Sequence, residues 1–315
     1  MSENTISQID LIAPRSYCAG VERAIETVER ALAELNPPVY VRGEIVHNRH
    51  VVETLTARGA IFVADEREVP EGATIILSAH GVAPEVHANC AARSLRVIDA
   101  TCPLVSKVHA EVRRYAAGGA TVLLVGHADH EEVIGTSGEA PEWVIVVEDV
   151  EQARSVQVPD PDNVALTTQT TLSLDDTAEI VQALRERFPA LRSPANGDIC
   201  YATQNRQDAV KVAVDAGADL VLVVGSQNSS NSNRMVEVGR AAGAEAHLIE
   251  NVDSVDPTWL AGKHRVALTA GASAPEVLVH EVAAFLESHN FDRTGSDTPS
   301  AEGVFFSIPR ELRPR

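Results

Sequence analysis

The sequence repeats one pattern three times, and this repeat restricts the fold more than any other feature. Each copy begins with a cysteine that follows a strand-like stretch and precedes an amphipathic segment: Cys18, Cys102 and Cys200. The next apolar run in each copy ends at a glycine 24 or 25 residues later: Gly43, Gly126 and Gly225. A glycine there permits a sharp turn from a strand into a helix. Two further strand-like runs complete each copy, so the sequence predicts three α/β units with parallel strands.

The repeat also predicts where the domains begin and end. We expect three similar parallel-sheet α/β domains at residues 18–101, 102–196 and 197–290, in a pseudo-threefold arrangement. A strand within residues 8–17 is a candidate to join the third domain. Residues 291–315 contain a stretch rich in Gly, Ser, Thr and Pro and are predicted to form a partly disordered tail. The alternative is an ordinary doubly wound sheet with incidental thiols.

Composition excludes several classes of protein. The 26 Lys and Arg against 45 Asp and Glu give a net charge of −19, which disfavours nucleic acid and anionic membrane surfaces as partners. No apolar run approaches the roughly 18 residues that a membrane span requires. The N-terminal residues have no basic stretch followed by an apolar one, and no two cysteines form a C-x-x-C pair. These features predict a cytoplasmic protein whose cysteines are free thiols, catalytic groups or metal ligands.

The repeated cysteines point to a metal centre. Each is expected at the carboxyl end of a parallel strand, where ligands bind, and beside a helix N-terminus, which favours a thiolate. Three equivalent thiolates around one axis form a soft site with an open coordination position, which suits an iron–sulfur cluster with one unligated iron, although zinc is possible. Cys90 lies within a predicted helix and is interpreted as a small buried apolar residue.

The same register predicts a polar lining around this centre. The residues four and six positions after the repeated glycines are all polar: His47, His130, Ser229, Arg49, Glu132 and Asn231. The last strand-to-helix loop of each copy adds another three at comparable depth: His80, Thr170 and Ser273. Imidazoles, hydroxyls and helix N–H groups suit a phosphate or diphosphate. Glu132 is the candidate general acid and Glu131 its nearest competitor, and the alternative for both is a solvated helix start.

Taken together, the motifs resemble a known family. They are SYCAGVERA, GEIVHNRHVV, SAHGV, DATCPLV, GHADHEEVIGT, TQTTLSLDDT, ICYATQNRQ, GSQNSSNSNR and TAGASAPE. In this order, from about residue 10 to residue 287, they resemble the 4-hydroxy-3-methylbut-2-enyl diphosphate reductases of the non-mevalonate isoprenoid pathway. The resemblance implies three α/β domains around a central 4Fe-4S cluster. It also implies reductive removal of the substrate hydroxyl to give isopentenyl diphosphate and dimethylallyl diphosphate.

The resemblance carries residue roles onto the matching positions. Cys18, Cys102 and Cys200 would hold the cluster. A set of polar residues would hold the diphosphate: His47, His80, His130, Ser229, Ser230, Asn231 and Ser273. Thr170 and Glu132 would face the substrate hydroxyl, with Glu132 as proton donor, and ferredoxin or flavodoxin would supply electrons. One departure is visible, because Glu131 stands where the family pattern has proline, and we expect it to shift the start of its helix and Glu132 slightly.

Two other classes of protein remain as alternatives. A non-enzymatic iron–sulfur redox sensor would need a DNA-binding or partner-binding element, which the acidic chain does not display. A hydrolase acting on a phosphorylated substrate through zinc or a cysteine nucleophile would explain the polar lining but would need only one thiol. Three thiols in one register favour the reductase.

Overall fold

The computed structural model describes residues 7–35, 37–195, 197–294, 299 and 302–313. The strands in these residues are β1 (Ser7–Leu11), β2 (Val39–Arg42), β3 (Ala60–Val63), β4 (Thr74–Leu77), β5 (Arg96–Asp99), β6 (Thr121–Val125), β7 (Val144–Val147), β8 (Val164–Thr168), β9 (Leu220–Val224), β10 (Glu245–Ile249), β11 (Arg265–Ala270) and β12 (Phe291–Thr294). The helices are α1 (Ala19–Glu34), α2 (Arg49–Ala57), α3 (Pro84–Ala92), α4 (Pro103–Ala117), α5 (Glu131–Ser137), α6 (Val150–Ser155), α7 (Leu174–Arg187), α8 (Tyr201–Asp215), α9 (Ser230–Ala241) and α10 (Glu276–Ser288).

The strands form three sheets, and every strand pairing in the described residues is parallel. The strand orders are β3-β2-β4-β5, β7-β6-β8 and β10-β9-β11-β1-β12. In each sheet the strand that ends at the repeated glycine lies between the next two strands of its own copy. The predicted fold class, three similar parallel α/β units, is therefore confirmed.

The segment that leads into each repeated cysteine pairs with the last strand of another copy. This is the copy before it in the chain for Cys102 and Cys200, and the third copy for Cys18. β5, which precedes Cys102, pairs with β4, and β1, which precedes Cys18, pairs with β11. Before Cys200, residue Arg192 forms one parallel bridge with Ala165 of β8. Each sheet therefore pairs with the segment that directly precedes a repeated cysteine of another copy.

The chain forms two compact units. The first comprises described residues within 1–19, 47–51 and 201–305, and the second comprises those within 20–46, 52–200 and 306–315. The first unit contains one sheet and the second unit contains two. The domain boundaries near residues 102 and 197 remain predictions.

Each unit has its own apolar core. All five residues of β9 are buried, as expected for a central parallel strand covered by helices on both faces. In the first unit, Leu222 and Leu268 pack with Val279 of α10. In the second unit, Leu77 packs with Val86 and Cys90 of α3 around one sheet, and a separate cluster surrounds the other. Helix α3 begins at Pro84, and proline suits the first helical position because the N–H that it lacks would have no partner within the helix.

The start of the C-terminal tail is more ordered than the sequence predicts. Residues 291–294 form β12, which pairs with β1, and the Phe291 side chain is buried. The composition predicts disorder for residues 292–303 in particular. That expectation is wrong for residues 292–294, because pairing satisfies an edge of β1 and buries an aromatic ring. The same expectation for residues 295–298, 300 and 301 falls outside the described residues. Farther along, Ile308 and Leu312 are buried.

Among the helices in the described ranges, none combines the length and the apolar character needed to cross a membrane.

Candidate functional site

The three repeated cysteines occupy equivalent places in the fold. Each is the residue immediately before a helix: Cys18 before α1, Cys102 before α4 and Cys200 before α8. None of the three forms a disulfide, and all three are partly exposed. A helix N-terminus stabilises a thiolate through its dipole and its unpaired N–H groups. The three thiols therefore share an environment that favours metal binding.

A repeated hydrogen bond connects each cysteine to the last strand-to-helix loop of another copy. The backbone N–H groups of Cys18, Cys102 and Cys200 donate to backbone oxygens at 3.1, 3.0 and 3.0 Å. The acceptors are Ala272, Ala79 and Thr170, respectively. Thr170 is thus equivalent to Ala79 and Ala272, one position earlier than His80 and Ser273. The alignment of the three copies predicted that Thr170, His80 and Ser273 are equivalent. In the structure, Thr170 lies one position before the residue equivalent to His80 and Ser273.

The fourth cysteine has none of these properties. Cys90 lies inside α3 and is fully buried. Burial raises the pKa of its thiol, which disfavours the thiolate that metals and electrophiles require. This environment agrees with the interpretation of Cys90 as a core residue.

Glu132 and Thr170 form a buried acid–hydroxyl pair. The Glu132 carboxylate accepts hydrogen bonds from the Thr170 backbone N–H at 2.7 Å and from the Thr170 hydroxyl at 2.9 Å. Burial raises the pKa of Glu132 to about 7, even though both hydrogen bonds from Thr170 lower it. A carboxyl group that is half protonated near neutral pH is suited to donate a proton.

The start of α5 gathers further polar groups around this pair. His130 is the N-cap of α5, and its Nδ1 accepts a hydrogen bond from the Glu132 backbone N–H at 3.1 Å. The ring of His80 meets that of His130 edge-on, with centroids 6.0 Å apart. Glu131, the first residue of α5, places Oε2 3.0 Å from Nδ1 of His80. The second unit therefore brings together His80, His130, Glu131 and Glu132.

The first unit brings together a second predicted group. Ser229 is the N-cap of α9, and Ser230 is the first residue of that helix. Asn231, buried in the first turn, accepts the backbone N–H of Ala272 through Oδ1 at 2.9 Å. The Ser273 hydroxyl donates to the His47 carbonyl at 2.9 Å. Ser229, Ser230, Asn231, Ser273 and His47 thus lie in one unit, as hydroxyls, an amide and an imidazole near a helix N-terminus.

Counting from the repeated glycines missed the cap of α2. That helix begins at Arg49, and Asn48 accepts the Val51 backbone N–H through Oδ1 at 3.1 Å. His47 is therefore one position outside the cap, whereas His130 and Ser229 are caps themselves. Asn is among the preferred N-cap residues, so the signal was present in the sequence.

The sequence analysis also did not predict a buried hydrogen-bonded pair of a histidine and a carboxylate next to the His80 loop. Nδ1 of His109 on α4 lies 2.7 Å from Oε1 of Glu139, and Arg113 lies 2.6 Å from the other oxygen. Burial raises the pKa of Glu139, but the hydrogen bonds from His109 and Arg113 outweigh it and hold the pKa below its usual range. A Cβ at Gly81 would lie 2.9 Å from the His109 ring. The loop next to His80 therefore rests on this imidazole, and only glycine fits there.

The buried Glu132 predicts a stability difference that depends on pH. Its folded pKa of about 7 exceeds the ordinary value of 4.5, so the folded protein retains a proton that the unfolded chain has released between these values. The stability due to this group is complete below pH 4.5 and is lost as the pH rises through 7, by about 3 kcal/mol. Glu132→Gln, which does not titrate, should gain that amount relative to the wild type between pH 4.5 and 8.

Urea unfolding of both proteins at several pH values measures this difference. The exposed Glu142→Gln variant is the matched control for loss of one carboxylate. If the unfolding free energies of Glu132→Gln and the wild type differ by the same amount at every pH in this range, Glu132 ionises at its ordinary pKa.

The chain is similar to known proteins over most of its length. Residues 9–287 match the model of the family described as LytB protein. The chain is 56% identical to a 4-hydroxy-3-methylbut-2-enyl diphosphate reductase of Mycolicibacterium paratuberculosis, over 98% of this chain and 93% of that protein. It is 55% identical to the enzyme of the same name from Nocardia farcinica, over 98% and 92% of the two chains.

Solved structures show the same fold. The structure of the E-1-hydroxy-2-methyl-but-2-enyl-4-diphosphate reductase from Plasmodium falciparum matches with a TM-score of 0.93 and 38% identity, over 98% of this chain and 97% of that one. A second structure, of an (E)-4-hydroxy-3-methyl-but-2-enyl diphosphate reductase described as the terminal enzyme of the non-mevalonate pathway, matches with a TM-score of 0.63 and 32% identity. That match covers 89% of this chain and 100% of the other. From the match over nearly its whole length, the chain belongs to the LytB protein family.

Proposed function

We propose that this chain is a 4-hydroxy-3-methylbut-2-enyl diphosphate reductase that works through a 4Fe-4S cluster. It converts its substrate to isopentenyl diphosphate and dimethylallyl diphosphate in the last step of the non-mevalonate pathway. The observation that carries this proposal is the threefold repetition of one partly exposed thiol, at a helix start, with the same backbone hydrogen bond. The names and coverage of the relatives support the same substrate.

The donor set fits an iron–sulfur cluster. Cys18, Cys102 and Cys200 would be its three ligands, which leaves one iron open, while the buried Cys90 would take no part. When bound, the cluster supplies electrons one at a time and a Lewis-acidic iron. A threefold repeat supplies three sulfur donors and no fourth protein ligand in the same register, which favours a cluster with one open iron over a four-coordinate zinc site.

The diphosphate would be held by neutral donors and imidazoles. In the first unit these are His47, Ser229, Ser230, Asn231 and Ser273, and the N-terminus of the twelve-residue α9 adds backbone N–H groups and a favourable dipole. In the second unit they are His80 and His130. Hydroxyl and amide groups bind phosphate oxygens without the strong field of several lysines.

Glu132 would supply protons, with Thr170 beside it. The overall conversion consumes two electrons and two protons for each substrate. One proton leaves with the hydroxyl oxygen as water, and the other adds to carbon at either end of the allyl group, which accounts for two products. A buried carboxyl with a pKa of about 7 is protonated in a large fraction of molecules at neutral pH. The Thr170 hydroxyl, 2.9 Å from the carboxylate, orients it and extends its reach toward the substrate hydroxyl.

The electrons would come from a one-electron carrier, ferredoxin or flavodoxin, in the cytoplasm. The cytoplasm suits cysteines that form no disulfide, since thiols stay reduced in that compartment.

Anaerobic purification followed by two measurements tests the proposal. We expect about four iron and four acid-labile sulfide per chain, with a broad visible band typical of four-iron clusters. Reduced carrier and 4-hydroxy-3-methylbut-2-enyl diphosphate should then yield both products. Stoichiometric zinc without iron, even after anaerobic reconstitution, would exclude this chemistry and favour the hydrolase.

A further inference from the structure

Glu131 makes a contact that the proposed reaction does not use. Its Oε2 lies 3.0 Å from Nδ1 of His80, and the hydroxyl of Ser78 lies 3.4 Å from the same nitrogen. The His80 side chain is 14% exposed, whereas that of Glu131 is 41% exposed. The imidazole is therefore mostly enclosed, with a carboxylate against one of its two nitrogens.

This contact defines the proton on His80. An ionised carboxylate only accepts hydrogen bonds, so Nδ1 of His80 must carry a hydrogen. The ring is then either neutral, with no hydrogen on Nε2, or a cation with a hydrogen on both nitrogens. The adjacent negative charge favours the cation.

The fold leaves room for the carboxylate at this place. Gly43 has a φ of +62°, and a Cβ there would lie 3.0 Å from Oε1 of Glu131. A side chain at position 43 would therefore press on the Glu131 carboxylate as well as strain the backbone. The repeated glycine of the first copy thus lies directly against the group that contacts His80.

The charge of the diphosphate explains what the contact between Glu131 and His80 would do. The oxygens of an ionised diphosphate only accept hydrogen bonds, so a neutral His80 with a bare Nε2 would repel them, whereas the cation donates to them. His130 differs, because its Nδ1 accepts the Glu132 N–H and its neutral ring carries the hydrogen on Nε2. The two histidines would therefore offer one charged and one neutral donor.

We propose that Glu131 is a positioning residue that holds His80 as an imidazolium for the diphosphate. The proposal rests on the proposed function, because it takes diphosphate as the ligand of His80.

The test compares the iron-loaded wild type with Glu131→Gln, and Asp129→Asn is the matched control. Asp129 is exposed and lies two residues away, so its change removes the same charge from the same loop. Calorimetric titration with inorganic diphosphate at pH 8 should show about tenfold weaker binding by Glu131→Gln, the effect of one lost charge-assisted interaction, and less than twofold change for the control. With substrate, KM should rise about tenfold while kcat stays within twofold.

A second measurement needs no variant. Nitrogen-15 NMR of the histidine rings in the diphosphate-bound wild type should show both nitrogens of His80 protonated. Equal or tighter diphosphate binding by Glu131→Gln, or a neutral His80 ring in the bound wild type, would overturn the role of Glu131 alone. No diphosphate binding by the iron-loaded wild type would instead contradict the proposed function and the inference together.

Discussion

Glu132→Gln is expected to lower kcat by about 10²- to 10⁴-fold, the usual contribution of a general acid. Glutamine has the shape of glutamate and still accepts the Thr170 N–H, which the carboxylate binds at 2.7 Å, but it has no proton to give. Iron content and affinity for inorganic diphosphate should therefore stay at the wild-type level. The loss should appear in single-turnover rates as well as in steady state, because the missing step is chemical.

Anaerobic assays with a reduced low-potential donor measure this effect. Glu142→Gln, an exposed change of the same kind on the same unit, should keep wild-type turnover. If Glu132→Gln turns over within about threefold of the wild type, which is far below the usual contribution of a general acid, Glu132 is not the proton donor.

Serine at position 18, 102 or 200 is expected to remove most of the iron from the protein as purified. A hydroxyl is a poor ligand for iron–sulfur clusters, and each of these thiols is one of only three in the repeat register. Activity should fall with the iron, because the proposed reaction passes the electrons of the carrier to the substrate through the cluster. Iron content, acid-labile sulfide and the visible spectrum, measured on one preparation of each variant, show whether the cluster is lost.

Cys90→Ser is the internal control for these three variants. Cys90 is fully buried in α3, so serine there should cost about 1–3 kcal/mol of unfolding free energy by burying a hydroxyl. Iron content should nevertheless remain at the wild-type level. Iron loss at Cys90→Ser equal to that at the other three positions would mean that the repeat does not identify the ligands.

The features that the sequence predicts well are those that recur with the same spacing. Cys102 and Gly126, for example, stand before a helix and after a strand because that alternation of apolar runs and turn residues is local. The parallel sheets follow from the same alternation, since each strand is followed by a helix that returns the chain to the same edge.

The features that the sequence does not predict depend on residues far apart in the chain. His80 and Glu131 are 51 positions apart, and nothing near either one indicates the contact. The pair of His109 and Glu139 has no equivalent in the other copies, so the repeat could not reveal it. Strand β12 forms because β1 offers it an edge, which is a tertiary effect that overrides the polar composition of the tail.

The position of β1 has a consequence for how the protein is made. This first strand lies between β11 and β12, and the Cys18 N–H bonds to the Ala272 carbonyl. Strand β1 can therefore pair natively only after β11 and β12 have been synthesised. At typical rates of synthesis, this is on the order of tens of seconds after β1 leaves the ribosome. Cys18 acquires its native neighbours only at the end of translation, whereas the sheets around Cys102 form earlier. A cluster held by all three cysteines would consequently be loaded late, after translation. In a truncated chain, Cys18 would lack its native neighbours, and its thiol would stay exposed without the other parts of the cluster site.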